Sequence, residues 1–195
     1  MRTSGGRQAA EGAVVYLVPP APAGVRVEPS PAPPVLSQNA KTFVPAVVAV
    51  VAGNAVEFPN YDRVHHNVFS LSDTKAFDLG LYRNGATRSV TFDKQGAVQV
   101  FCNIHEQMAA HVKVLPNTVF GVTGPSGSVT FTGLPAQTAR FVVWHPQGQE
   151  REVTAVIRPG GATAVEAEYD ASTWKRQPHL NKYGEEYPDD EENRY

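Results

Sequence analysis

The chain has 195 residues, 42% of them hydrophobic and only 18% charged, with 16 Gly and 16 Pro, which suits one or two turn-rich globular domains and excludes a wholly disordered chain. Valine occurs 27 times against 8 Leu and 2 Ile, and this bias toward a β-branched side chain favours strands and excludes a helix bundle or coiled coil. A net charge of −2 without a basic stripe gives nucleic acid nothing to bind, and a single cysteine cannot form an internal disulfide.

Residues 13–18 read as a short apolar strand. Residues 19–34 are rich in Pro and Ala and read as a linker. From residue 35 to 115 short strand-like runs alternate with turn residues, most clearly Gly53-Asn54, Asn60-Tyr61-Asp62, Asn84-Gly85 and Lys94-Gln95-Gly96. Many short strands at this spacing indicate an all-β sandwich or barrel. A second strand-rich stretch spans 118–169, where Val129 and Phe131 alternate with polar residues, Gly133-Leu134-Pro135 turns the chain and a strand from Arg140 to Trp144 follows. Residues 183–195 hold six carboxylates and one Arg, so 171–195 is expected to be an acidic, disordered tail.

The longest apolar run, residues 43–52, is too short to span a membrane and contains Pro45. Residues 1–11 lack the apolar stretch of a signal peptide.

Cys102, His105 and Met108 follow one another at Cys-x2-His-x2-Met spacing, and the pair His65-His66 opens an apolar run upstream. A thiolate, two imidazoles and a thioether are the soft donor set that holds copper in two oxidation states, whereas zinc has little use for a thioether. Strand parity puts Val98, Val100 and Cys102 on one face. It puts Val64, His66 and Val68 on one face of the earlier strand, and His65, Asn67 and Phe69 on the other. The two valines favour His66 as the inward ligand, with Phe69 arguing the opposite way. Two other readings of Cys102 compete. One is a small buried hydrophobe, which leaves the His and Met spacing without a purpose. The other is a nucleophile activated by histidine, for which no oxyanion-hole signature is present. His111, His145 and His179 are expected to lie outside the main site, the last of them in the tail.

The motifs NAKTFVP at 39–45, Gly53, VEFPN at 56–60, HNVFS at 66–70 and FCNIHEQM at 101–108 together resemble the cupredoxins, the small blue copper proteins, over about residues 35–115. The compact ligand loop is most similar to that of the amicyanins. FDLGLY at 77–82 adds a likeness to bacterial plastocyanin-like proteins labelled methylamine utilisation proteins. The resemblance implies a Greek-key β-sandwich holding one type 1 copper, with His66, Cys102 and His105 as strong ligands and Met108 as the weak axial one. It also implies that Asn67 hydrogen-bonds neighbouring backbone and braces the ligand loop, and that His105 lies near an apolar surface, formed with Ile104 and Ala109, where a redox protein docks. Gln107 stands where such proteins often carry an aromatic residue.

VTGPSGSVTFTGLP at 122–135, with GAVVYL at 12–17, resembles the carboxypeptidase regulatory-like domains, which are small transthyretin-like sandwiches. The copper domain is accordingly expected to be inserted in an accessory domain made of residues 12–18 and 118–170. Either Val14, Tyr16 and Val18 or Val15 and Leu17 should face its core. The function this implies is single-electron transfer without catalysis, in the periplasm or outside the cell after removal of an export signal. A copper chaperone or store using the same ligands, and a non-redox binding module, are the competing functions.

Overall fold

The computed structural model describes residues 2–3, 9–19, 32–169 and 178–187, and among these every regular element is a strand. Most of the Pro-rich linker (20–31) and the tail segments 171–177 and 188–195 lie outside the described residues. The strands are β1 (Arg2–Thr3), β2 (Val14–Leu17), β3 (Ser37–Asn39), β4 (Thr42–Val44), β5 (Val47–Val51), β6 (Asn54–Pro59), β7 (His66–Ser72) and β8 (Lys75–Tyr82). They continue with β9 (Thr87–Phe92), β10 (Gly96–Cys102), β11 (Ala109–Leu115), β12 (Phe120–Val122), β13 (Thr138–Trp144), β14 (Arg151–Val156) and β15 (Glu168–Tyr169). The chain divides into two compact units, 31–114 with 176–195 and 1–30 with 115–175.

In the first unit a five-stranded sheet runs in the order β5-β11-β10-β7-β8, and β3 with β4 and β6 with β9 form two short antiparallel pairs. β3 is tied to the β6 edge through the parallel bridges Val35–Glu57 and Gln38–Asn60. Alternation drives this arrangement. Val98, Val100 and Cys102 on β10, and Ala110, Val112 and Val114 on β11, project inward from the large sheet. Val56 and Phe58 on β6 and Val90 and Phe92 on β9 supply the same core from the smaller strand pair. Each fully buried side chain of this kind stabilises the fold by roughly 1.5–3 kcal/mol.

β7 departs from alternation. Residues 66–70 are all buried, and the β7–β8 register shifts between Asn67 and Phe69. Phe69 lies against Phe101 at 5.9 Å between ring centroids. Val64, counted on the inward face from parity, is 40% exposed because the strand begins only at His66. His66 is nevertheless the buried histidine and His65 the exposed one.

In the second unit an antiparallel sheet runs β12-β2-β13-β14, so the isolated apolar strand β2 sits between β12 and β13. Its burial follows neither expected face set: Val14 and Leu17 are buried, while Val15 and Tyr16 are half-buried. Leu17 packs with Val119, Ala139, Phe141 and Ala155. The alternation around Val129 and Phe131 does not form a strand. This segment is held by side chains instead: Phe131 stacks on Phe141 at 5.2 Å, and Val129 packs so closely on Gly121 that a Cβ there would meet it at 2.2 Å. Pro125 and Pro135 have no N–H for a ladder, and Gly127 and Gly133 take positive φ.

Candidate metal centre

β10 and β11 are joined by a tight hairpin loop that carries Cys102, His105 and Met108. Its ends are closed by the Cys102 N–H donating to the Met108 carbonyl (3.2 Å), and the Met108 N–H donates to the His105 carbonyl (3.0 Å). The Asn103 N–H donates to the Asn67 carbonyl (2.9 Å), which ties the loop to the residue after His66. The Cys102 register partner is Val68, so β7 delivers His66 beside the thiol.

The donor atoms of His66, Cys102 and His105 all lie within 4.8 Å of one another, and all three residues are buried. The two Nδ1 atoms are 3.1 Å apart, and Cys102 Sγ is 3.6 Å from each. A point equidistant from the three atoms lies about 2.0 Å from each, close to a metal–imidazole bond length. Met108 is fully buried in the same core cluster as Cys102.

The far nitrogen of His66, Nε2, meets Asp62 Oδ2 at 2.8 Å. A carboxylate only accepts, so Nε2 carries the proton and the Nδ1 lone pair is left facing the thiol and His105. Asp62 is itself held by the N–H groups of Ala40 (2.6 Å) and Lys41 (2.8 Å), two non-glycine residues at positive φ, and its own N–H donates to Asn60 Oδ1. Burial alone would raise the Asp62 pKa, but the Lys41, His66 and Ala40 hydrogen bonds hold it below the usual carboxylate range. Sequence reasoning passed over Asp62 as a turn residue. The available signal was a carboxylate four residues before His66 in a loop otherwise expected to be a plain turn.

Burial lowers the basicity of both histidines: His66 falls despite Asp62, and His105 drops to about 4 under burial and the nearby His66. Burial pushes the Cys102 thiol up, opposed by backbone N–H groups of Asn67, Ile104 and His105 directed at the sulfur. The donor set is thus neutral and water-poor until a metal displaces the thiol proton. Soft sulfur with imidazole nitrogen fits copper.

A family comparison points to the same metal. The family model of copper-binding proteins of the plastocyanin/azurin type matches residues 35–115. Residues 35–115 are a cupredoxin domain. No curated protein sequence matches the chain. Among solved structures, a copper-containing nitrite reductase from Thermus scotoductus SA-01 is similar at 23% identity over 48% of this chain and 25% of its own length (TM-score 0.42). A purple cupredoxin from Nitrosopumilus maritimus is 20% identical over 42% of this chain and 99% of its own length (TM-score 0.38). A reduced amicyanin mutant is 21% identical over 45% of this chain and 87% of its own length (TM-score 0.41). The domain is a type 1 copper domain with one copper.

Around this centre the remaining sequence expectations sort as follows. The Asn67 side chain donates to Asp78 Oδ1 (2.6 Å), and it is the Asn67 main chain that meets the ligand loop. Gln107 is exposed. His105 is only 4% exposed, with Ile104 and Ala109 half-buried beside it. His145 is buried just beyond β13 and bonds the Glu11 carbonyl, whereas His111 is half-buried on β11. The tail expectation is corrected for residues 178–187, which lie on the ligand loop. His179 Nε2 donates to the Glu106 carbonyl (2.8 Å) and Tyr187 Oη donates to the Cys102 carbonyl (2.6 Å). Charge count concealed this because the contacts with the loop are made by His179, Lys182 and Tyr187, to the Glu106 carbonyl, the Asn103 side chain and the Cys102 carbonyl, rather than by the tail's carboxylates. Among the described residues no helix is long and apolar enough to cross a membrane.

Proposed function

We propose that this protein is an exported single-electron carrier whose copper is held by His66, Cys102 and His105, with Met108 as the weak axial ligand. Copper in this donor set supplies a one-electron couple. The observation that carries the reading is the buried triangle of donor atoms, with the His66 Nδ1 lone pair aimed into it. Asp62 fixes the His66 tautomer. The hairpin bonds hold Cys102 and Met108 at one spacing, and the main-chain bond between Asn103 and Asn67 locks the loop to β7. A site whose ligands are held before loading changes little between oxidation states, so the chain contributes rigidity rather than a bond-making step. No residue set for substrate chemistry is part of the proposal.

The redox partner is a protein that makes brief contact near His105, where Ile104 and Ala109 offer small apolar edges. Export is inferred from copper with a single reactive thiolate: an oxidising compartment outside the cytosol suits a thiolate kept on copper. We further infer that β2, β12, β13 and β14 belong to a carboxypeptidase regulatory-like accessory domain into which the copper domain is inserted.

The test is a visible and EPR spectrum of the copper-loaded full chain. The expected result is an intense thiolate-to-copper band with a narrow type 1 hyperfine pattern in the oxidised form, and reversible loss of both on one-electron reduction. A colourless protein that binds Cu(I) and passes it to a chelator would instead make it a copper chaperone or store. Cell fractionation that finds the native product in the cytosol would remove the export assignment.

A further inference from the structure

Three residues of the C-terminal segment, His179, Lys182 and Tyr187, touch the ligand loop or the Phe101 ring beside it. His179 stacks on Phe101, with ring centroids 4.0 Å apart and 25° between planes, and donates to the Glu106 carbonyl. Tyr187 donates to the carbonyl of Cys102, the residue that bears the thiol, and its ring meets His179 edge-on at 5.2 Å. The Lys182 N–H donates to Asn103 Oδ1 (2.8 Å). A short turn organises these anchors: Asn181 Oδ1 accepts from the N–H groups of Tyr183 and Glu185.

Lys182 also closes a circuit. Its Nζ donates to Asp78 Oδ2 (2.7 Å), and Asp78 Oδ1 accepts from Asn67 Nδ2 (2.6 Å). The Asn67 carbonyl accepts from Asn103 N–H, and Asn103 Oδ1 accepts from Lys182 N–H. Four residues are therefore joined in one ring of hydrogen bonds that contains the neighbour of His66 and the neighbour of Cys102. The aromatic series Phe69, Phe101, His179, Tyr187 runs beside it.

We propose that residues 178–187 are a strap that positions the copper ligand loop, with Tyr187 acting through the Cys102 carbonyl and the Lys182 side chain acting through Asp78 on Asn67. The proposal deepens the copper-carrier reading and rests on it for the metal. It gives the segment a role in setting the Cys102 backbone, and so the angle at which the thiolate meets copper, rather than in binding any ligand itself. Hydrogen-bonded supports of this kind tune metal affinity and potential because they restrict how far a ligand can relax.

Two measurements on the full chain test it, using Tyr187→Phe, Lys182→Met and the pair combined; Tyr187→Phe keeps the ring and removes only the donor. In the metal-free protein, the rate at which N-ethylmaleimide modifies the buried Cys102 thiol should rise about tenfold in the combined variant as the loop opens more often. In the copper-loaded protein, the thiolate-to-copper band should shift and copper should dissociate about tenfold faster. An unchanged thiol rate overturns the strap. A faster thiol rate with an unmoved band overturns positioning and reduces the segment to a cover over the thiol. Failure of the copper reading would look different: the unaltered protein would show no band at all, while the thiol rates would still separate the variants.

Discussion

The cupredoxin domain buries its apolar residues between facing groups of strands, whereas the accessory unit has one four-stranded sheet with irregular chain over part of it. In the former, Val98, Val100 and Cys102 are completely buried beside Phe58 and Phe92. In the latter, a groove of about 1040 Å³ remains, lined by Val15, Phe131, Leu134, Phe141, Val153 and Ile157 among others. The contrast shows what a metal centre asks of a fold. The proposed ligands on β7 and the β10–β11 loop need close-packed strands beneath them, because a loose core would let the donor atoms drift. The accessory sheet carries no such constraint, and Phe131, which stacks on Phe141, and Val129, which packs on Gly121, come from irregular chain.

Cys102→Ser tests the dense region most severely. The thiolate-to-copper band should vanish altogether while the far-ultraviolet β signal persists; a surviving band would remove Cys102 from the ligand set. Leu17→Ala tests the other region. Leu17 is 2% exposed in the small core of the accessory unit, so truncation should cost about 2–5 kcal/mol of that unit's stability in denaturant while sparing the copper spectrum. A bleached site in this variant would contradict the separation of the two cores.

Asp62→Ala leaves His66 Nε2 without its partner and frees the tautomer. Copper affinity, measured by competition with a chelator, should fall about 10–100-fold. An unchanged affinity would show that His66 is held by packing alone.

Acidity provides a subtler test. His105 moves from an ordinary 6.5 to about 4 in the folded protein, and His66 moves in the same direction. Between these values the unfolded chain binds protons that the folded site refuses, so stability rises with pH in that window. The metal-free protein should therefore be fully stabilised by these groups above about pH 6.5, lose stability progressively as pH falls toward 4, and show the loss in denaturation midpoints. A flat profile would mean that the imidazoles are wetter than the structure places them. His65→Ala should do least, with stability within about 0.5 kcal/mol of the parent and an unchanged band, because that side chain is exposed.

The amino-acid sequence alone determined the strand-rich class, the Cys-x2-His-x2-Met loop and the isolated apolar strand at residues 14–17, because β-branched bias, ligand spacing and turn residues are local properties. Parity reached the correct burial of His66 and Cys102 by unequal routes. On β10 alternation holds to the last residue. Of the two valines that supported His66, Val68 is fully buried but Val64 is exposed and precedes β7, and the opposing Phe69 is buried against Phe101, on whose ring His179 stacks. Only the tertiary structure decided that both faces of β7 are covered, that Asp62 orients His66, and that β2 pairs with β12 and β13. It also decided that a segment expected to be solvated by its charge lies on the ligand loop. Apart from the Asp62–His66 pair, which is only four residues apart, these depend on distant partners, 104 residues apart for Tyr16 and Phe120 and 85 apart for Tyr187 and Cys102. Local pattern carries no information about which distant backbone group a tyrosine or a carboxylate will meet. That choice is made when the sheets close and leave particular carbonyls and N–H groups needing partners.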